Sequence, residues 1–426
     1  NGDFKTFSLP SITNEELNRI NDFLNFDIKN INDLKKIYFD DFDIGFAVAS
    51  TIITLTSNPN PDLGECKNLV NDLLWSSARV YLSVKKLLKE NKPSKLYFHN
   101  GRHALGRAVL RLSESFKIDY CSYEAGFKID EFILYENGMP QDRVLREKQI
   151  RTHWAKNKNY NQKYNAAESY FMKQKSGENA ITIRLNYVRN QNQNKLPQNW
   201  NSEKKNIVIY NTTENEYAAI DDSFSLPFYS SQLNGIKEIA KSLEINKETH
   251  HLYLRIHPNY AQNNDPAVKD FLALNYPNLT IIKPDSDIST YKLMLEADKN
   301  ITFFSSVGPE SVFLGKPTIL LGQAAYNELG GFYIPKTHNE CIDLITKTLK
   351  PLDRKGAIMW GYYHLTYGTK YKYYKPVDNM NGKFKGKAVA SSYFAKKLKS
   401  RLFKKYLFPL ESLISYVYRF ILKSTL

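Results

Sequence analysis

Cysteine is scarce in this 426-residue chain, and the three present, Cys66, Cys121 and Cys341, are far apart and odd in number. They suit neither a disulfide framework nor a zinc cluster, so incidental thiols in a reducing compartment are expected. No uninterrupted apolar run reaches the ~18 residues that a spanning helix needs. HExxH spacing is missing, as are the glycine-rich lysine loop of nucleoside triphosphatases and a strand-linked GxGxxG. These absences argue against a protein-borne metal, a triphosphatase and a dinucleotide oxidoreductase. Internal repeats and sustained low-complexity stretches are also missing. The first residues, Asn1-Gly2-Asp3-Phe4-Lys5, lack a charged-then-apolar leader pattern, and without Met the start is expected to be trimmed or added.

What is present reads as globular. Hydrophobic residues make up 42% and charged residues 24%, which excludes wholesale disorder. The length suggests two or three domains. Lys and Arg total 59 against 44 acids, a formal charge of +15. From Tyr393 to Leu426 eight basic residues face Glu411 alone, +7, which leaves +8 for everything before them. Such a split argues against a broadly basic nucleic-acid-binding body and for a local basic element. In that element Phe394, Leu398, Leu402 and Tyr406 recur every four residues between basic ones. After Pro409 an aromatic amphipathic stretch carries Arg419 and Lys423. The pattern predicts an interfacial helix held by anionic lipid, the alternative being a helix docked on the protein or a partner.

Along the chain, residues 1–40 read as polar helix, with Thr13-Asn14-Glu15-Glu16 as a start signal. The apolar run 45–55 fits a strand or a buried helix equally well. Residues 67–90 read as an amphipathic helix, followed by a strand ending in His99-Asn100-Gly101-Arg102, a helix over 103–117 and the strand leading to Tyr123-Glu124-Ala125-Gly126. Residues 188–205 are rich in Asn, Gln and Lys and read as a linker. Strands at 206–210, 251–258, 279–284, 300–306 and 317–322 then alternate with helices, as in a parallel sheet covered on both faces. The expected fold is therefore α/β, two Rossmann-like lobes facing across a cleft. The expected division is 1–195 for the first lobe, 196–345 for the second, 346–392 for a helical segment packing back across both, and 393–426 for the basic tail.

Ligands of such sheets sit beyond the carboxyl ends of the strands, so the strand-end residues carry the chemistry. Ser305-Ser306-Val307-Gly308-Pro309-Glu310-Ser311 joins a strand to a helix. With Pro309 at the first helical position, two hydroxyls and free N–H groups make a phosphate site, unless this is a plain capped helix start. Glu310 either accepts from a ribose or complements the helix dipole. Arg255 and His257, alternate residues before Pro258, share a face and suit phosphate binding or leaving-group assistance. The loop Asn211-Thr212-Thr213-Glu214-Asn215-Glu216-Tyr217 ends the first strand of the second lobe, its acids being cleft residues or helix-start residues. In the first lobe Asn100, Arg102 and Glu124 stand at strand ends, with Glu124 either projecting into the cleft or salt-bridged.

RIHP together with FFSSVGPESVFLGKPTILLG resembles the nucleotide-binding lobe of bacterial capsule and O-antigen glycosyltransferases of the GT-B fold, which use CMP-activated acidic sugars. YFHNGRHALGRAVLRL, YEAG, MPQD and NTTENEYAAI resemble more closely the retaining β-Kdo transferases that use CMP-β-Kdo. The resemblance covers roughly residues 95–325. It implies that Arg255, His257 and Pro258 contact CMP, that Ser305 and Ser306 contact its phosphate, and that Glu310 contacts its ribose, with Gly308 and Ser311 completing the turn. The resemblance further implies that 1–195 is the acceptor-binding lobe and 196–345 the CMP-sugar-binding lobe, and Asn100, Arg102, Thr212 and Thr213, at strand ends facing the cleft, are the expected substrate contacts. Asn215 stands where the resemblance places an acid nucleophile, so Glu214 or Glu216 serves instead or turnover is impaired, and Glu124 is the implied general base. The implied partners are the CMP-sugar, a glycan acceptor, expected to be lipid-linked, and an anionic membrane surface. No nucleic acid and no metal are expected. The implied location is cytoplasmic, peripheral on the inner face of a bacterial inner membrane. The competing readings are a CMP-sialic acid user, a silent sugar-nucleotide-binding module and a polyanion binder.

Overall fold

The computed structural model describes residues 8–178, 186–220, 222–263, 267–377 and 381–390. The tail expected to meet lipid, 393–426, lies outside the described residues.

The chain opens with helices α1 (Asn14–Phe23), α2 (Ile31–Lys35), α3 (Ile44–Thr56) and α4 (Lys67–Asn91). The start signal at Thr13 is a reciprocal capping box with Glu16. The ambiguous apolar run is α3. Its Thr51, Thr54 and Thr56 return their hydroxyls to carbonyls four residues back, and Ile44, Val48, Ile52 and Ile53 are buried around it. An apolar surface on nearly every side suits a central helix.

Strand β1 (Lys95–His99), α5 (Ala104–Ser115) and β2 (Asp119–Ala125) form one parallel β-α-β unit, and β3 (Glu131–Glu136) runs antiparallel to β2. The first sheet is thus mixed, where a parallel one was expected. A short turn from Ala125 to Glu131 forces antiparallel pairing, since a parallel return needs a long crossover. Helices α6 (Arg143–Lys156) and α7 (Tyr160–Ser176) follow.

After α8 (Asn186–Arg189) the 188–205 stretch lies against the second lobe. Gln191 Oε1 accepts from Thr290 N–H at 2.8 Å, and Trp200 packs on Tyr253 at 4.6 Å. The second lobe runs β4 (Lys205–Tyr210), α9 (Gln232–Ser242), β5 (His250–Arg255), α10 (Tyr260–Asn263), α11 (Ala267–Leu272), β6 (Leu279–Ile282), α12 (Thr290–Glu296), β7 (Lys299–Thr302), α13 (Val307–Phe313), β8 (Thr318–Leu320) and α14 (His338–Thr346). Its sheet is all parallel, in the order β6-β5-β4-β7-β8. Alternate residues feed opposite faces. Ile207, Ile209, Leu252 and Ile301 share one core with α9, while Val208, Tyr210 and Tyr253 share another with Leu293 and Met294 of α12. The strand order reverses between β4 and β7, which makes their carboxyl ends the ligand-binding position of this sheet.

Helix α15 (Lys355–Thr366) packs on α6 and α7, burying Trp360 and Tyr363 beside Tyr170 and Phe171. Beyond it the chain is extended: β9 (Thr369–Lys370) pairs with β3 of the first lobe, and β10 (Tyr374–Pro376), β11 (Asn381–Phe384) and β12 (Lys387–Ala390) make an antiparallel sheet. The 346–392 stretch, expected to be helical, is therefore helical only in part. Lys385 and Gly386, both at positive φ, form the two-residue loop that turns β11 into β12. The α/β class and the two-lobed plan stand.

Candidate functional site

The carboxyl ends of β4, β5 and β7 place the 211–217 loop, the 256–260 turn and the 303–307 turn around the reversal point. The first of these is tightly held. Gln232, the first residue of α9, accepts from Thr212 N–H at 2.8 Å and donates to Thr212 C=O at 2.9 Å. Asn211 Oδ1 accepts from His257 N–H at 2.8 Å, tying the loop to the β5 turn. Glu214 Oε1 accepts from Gln232 N–H at 3.0 Å, so its carboxylate sits at the positive start of α9. Glu214 thus meets a helix start and also lines the space between the lobes. Glu216 is exposed.

Inside this well-held loop, four polar atoms are buried without a protein partner: Asn211 Nδ2, Thr212 Oγ1, Thr213 Oγ1 and Asn215 Oδ1. Asn211, Thr212 and Thr213 are 1%, 4% and 2% exposed. A buried polar group left unpaired costs about 1–3 kcal/mol, and native interiors keep few of them. Four fall within five residues: the Asn211 amide and the two threonine hydroxyls can donate to phosphate or carboxylate oxygens, while Asn215 Oδ1 can only accept.

His257 is neutral, its imidazole pushed down to about 4 by burial and further by the Arg255 charge. Nδ1 accepts Asn259 N–H at 3.2 Å, which puts the ring proton on Nε2 as a hydrogen-bond donor. Arg255 is buried and spends its guanidinium on the carbonyls of Lys283 (2.6 Å) and Ser286 (3.2 Å), fixing the turn after β6. Pro258 is buried beneath its own turn.

The Ser-Ser turn differs from expectation. Helix α13 begins at Val307, so Pro309 is its third residue. The N–H groups expected to be free are used: Val307 N–H donates to Ser305 Oγ (3.3 Å) and Gly308 N–H to Ser305 C=O (3.0 Å). Ser305 is buried and Ser306 exposed. Close approach at Gly308 is made by the protein itself, because a Cβ there would stand 2.9 Å from the Tyr326 hydroxyl. Ser311 is fully buried between Asn300 (2.8 Å) and Thr318 (2.7 Å), which makes it a packing residue. Glu310 is buried and accepts from Tyr291 at 2.6 Å, with burial pushing its carboxyl up to about 7 against the Tyr291 and Ser306 hydrogen bonds. At neutral pH it is poised between charged and uncharged forms, which neither a fixed helix-dipole partner nor a simple acceptor requires.

Across the cleft the first lobe grips the same second-lobe segment by alternate carbonyls. Arg102 donates to Glu216 C=O (3.1 Å), Lys35 to Ala218 C=O and Arg107 to Ile220 C=O (3.2 Å). Arg102 also donates to Thr54 Oγ1 at 2.9 Å, so it holds the lobes together rather than standing open to a ligand. Between the lobes lies a cavity of about 190 Å³ lined by Lys35, Phe46, Glu214, Tyr217, Gln232 and Phe304.

Asn100 and Gly101 both take left-handed conformations where β1 ends, and Asn100 Nδ2 donates to Glu124 Oε2 at 2.6 Å. Glu124 also receives Ala125 N–H at 3.0 Å and faces His99 Nε2 at 3.4 Å. Burial alone would raise its carboxyl, but these hydrogen bonds outweigh it and hold the group at about 2. Glu124 is therefore anionic at neutral pH.

No known family's sequence pattern matches the chain, and no curated protein matches it. Solved structures do. The chain is similar to the KpsC β-Kdo 2,4 transferase of Thermosulfurimonas dismutans at 14% identity and a TM-score of 0.41, over 63% of this chain and 79% of that one. For the KpsC β-Kdo 2,7 transferase of the same organism the figures are 14%, 0.40, 74% and 88%. A UDP-GlcNAc 2-epimerase from Neisseria meningitidis bound to UDP-GlcNAc gives 15%, 0.32, 68% and 80%.

The structure bonds Asn211 to His257 and holds Thr212, Thr213 and Asn215 on the same loop, with Ser305 and Ser306 following the neighbouring strand β7. It commits Arg255, Ser311 and Arg102 elsewhere. Sequence reading missed Gln232 and Tyr260, whose hydroxyl meets both Thr212 C=O and Glu214 N–H at 3.4 Å. It missed His99 as well, although its place at the end of β1 was a usable signal. Among the described residues no cluster of His, Cys, Asp and Glu suits a metal ion, and no helix is long and apolar enough to cross a membrane.

Proposed function

We propose that the protein is a glycosyltransferase that moves Kdo from CMP-β-Kdo to a cell-surface glycan acceptor with retention of configuration. The observation that carries this reading is the group of four buried polar atoms without a protein partner on the loop after β4, which is tied to the neutral His257. Hydroxyl and amide donors on one buried loop suit the anionic groups of a CMP-activated acidic sugar. They stabilise the phosphate as it departs with the bonding electron pair. Retention then requires a group on the opposite side of the anomeric carbon. The Asn215 carboxamide has the shape of the acid expected there but cannot readily form an ester. Glu214 is engaged at the start of α9 and Glu216 faces solvent, so this chain is a slow enzyme on this reading. A second reading, a sugar-nucleotide-binding protein without turnover, is favoured by the same Asn215. Attachment to an anionic membrane through residues 393–426, where lipid-linked acceptors are presented, belongs to the proposal and rests on sequence alone.

Mass spectrometry of glycan acceptors incubated with CMP-Kdo and the full chain decides between the two. Acceptor carrying one added Kdo is expected, with more of it from Asn215→Asp. CMP binding without product from either chain would leave the silent module standing and overturn the transferase.

A further inference from the structure

Resting on that reading of the cleft, we infer that His99 is the proton acceptor for the attacking hydroxyl and that Glu124 is the positioning residue that orients its ring. Glu124 has its two oxygens divided: Oε2 takes Asn100 Nδ2 at 2.6 Å, and Oε1 takes Ala125 N–H at 3.0 Å and faces His99 Nε2 at 3.4 Å. A carboxylate so fixed acts on its neighbour, since any ligand proton would have to displace these bonds. With Nε2–H turned to Glu124, the lone pair of His99 lies on Nδ1. No described residue is bonded to Nδ1, and the side chain is 58% exposed. Tyr123 supports the ring edge-on at 5.4 Å.

The place is right for a base. His99 ends β1 on the same edge as Arg102, which touches the loop carrying Thr212, Thr213 and Asn215. A CMP leaving group needs no proton, so the only proton to be moved is that of the acceptor. CMP departs in the first displacement; in the second, as the acceptor oxygen bonds to the anomeric carbon, the ester bond from that carbon to the carboxylate that displaced CMP (Glu214, Glu216 or the one installed by Asn215→Asp) breaks with its electron pair, and the hydroxyl proton passes to Nδ1 and then to water.

Glu124 hydrogen bonding raises His99 from its ordinary value, with burial opposing, while Glu124 itself is too acidic to be an efficient base near neutrality. The other charged or titratable groups around the pair are Arg102, His103, Tyr123, Tyr135 and Tyr371. His103 is pushed down to about 4 by burial and the Arg102 charge, so it stays neutral as His99 titrates.

The test has two arms. Nitrogen-detected NMR of the unliganded full chain should show the Nε2–H tautomer of His99, with a titration midpoint that Glu124→Gln lowers. In transfer from CMP-Kdo, activity should fall as pH drops through the His99 midpoint, and Glu124→Gln should move that limb to lower pH. His99→Gln should lower kcat roughly 100-fold while the CMP-induced rise in melting temperature persists. Undiminished kcat in His99→Gln, or an Nδ1–H tautomer indifferent to Glu124→Gln, overturns the pair. A wild-type chain that neither binds CMP nor moves sugar overturns the proposed function instead, and the tautomer still decides the pair.

Discussion

Glu310 shows how far one residue's surroundings can depart from what its sequence position suggests. It lies in the first turn of α13, where an exposed acid would complement the helix dipole, yet it is buried against Tyr291 with its carboxyl pushed up to about 7. Between the ordinary carboxyl value of 4.5 and about 7 the folded chain keeps a proton that the unfolded chain has lost. Stability therefore falls as pH rises through that window, by an amount on the order of 3 kcal/mol. Glu310→Gln should flatten the dependence between about pH 5 and about pH 8 in urea melts. An unchanged slope would assign the pH dependence to other groups. On the proposed reading Asn215 is the other residue where identity matters more than position, because Asn215→Asp would supply the carboxylate that a retaining transfer needs.

At the scale of elements, the 211–217 loop is organised by a residue that follows it by some twenty positions. Gln232 pairs with both backbone groups of Thr212, and nothing in its local sequence marks it out. Gln232→Ala leaves the buried Thr212 N–H unpaired, a loss of about 1–3 kcal/mol, and leaves Thr212 C=O only the longer bond from Tyr260. Weaker CMP binding is expected alongside a lower denaturation midpoint; a variant with normal stability and affinity would show that the loop is held by its other contacts. The parallel strands were legible because apolar runs such as NIVIY can only be buried on both faces. The 211–217, 256–260 and 303–307 turns were legible as strand ends for the same reason. Hydrogen-bond occupancy was not, since Ser311 and Ser306 look alike in sequence and only packing separates the buried one from the exposed one. The β11–β12 hairpin was missed because its Lys-Gly turn sits in a Lys-rich stretch with no alternating apolar pattern.

The whole molecule is two α/β lobes joined by more than a tether. Three first-lobe cations take the carbonyls of Glu216, Ala218 and Ile220, and Ala219 packs into the first-lobe core. Arg107 is itself fixed by buried Asp43 at 2.6 Å, and the two guanidiniums of Arg107 and Arg111 hold the Asp43 carboxyl far below its usual range against the cost of burial. Breaking such a pair costs about 3–5 kcal/mol, so Asp43→Ala should lower the denaturation midpoint markedly; a midpoint unmoved by it would show that the lobes do not depend on this contact. The surplus of +15 divides in the same architectural way, +7 of it falling in 393–426. A chain ending at Ala390 should fail to float with anionic vesicles yet keep CMP binding. Equal flotation of both chains would remove the membrane from the account.

The central claim, that the unpartnered side chains at the β4 end receive a cytidine-nucleotide sugar, is tested most directly by melting the full chain against rising CMP. Melting temperature should climb with concentration, reaching about 2.7 kcal/mol of added stability at a hundredfold excess over Kd. Thr212→Val combined with Thr213→Val should abolish the response while leaving the unliganded chain as stable or more so, because two buried unpaired hydroxyls are removed. No response in the wild type, or a full response in the double variant, would contradict the claim.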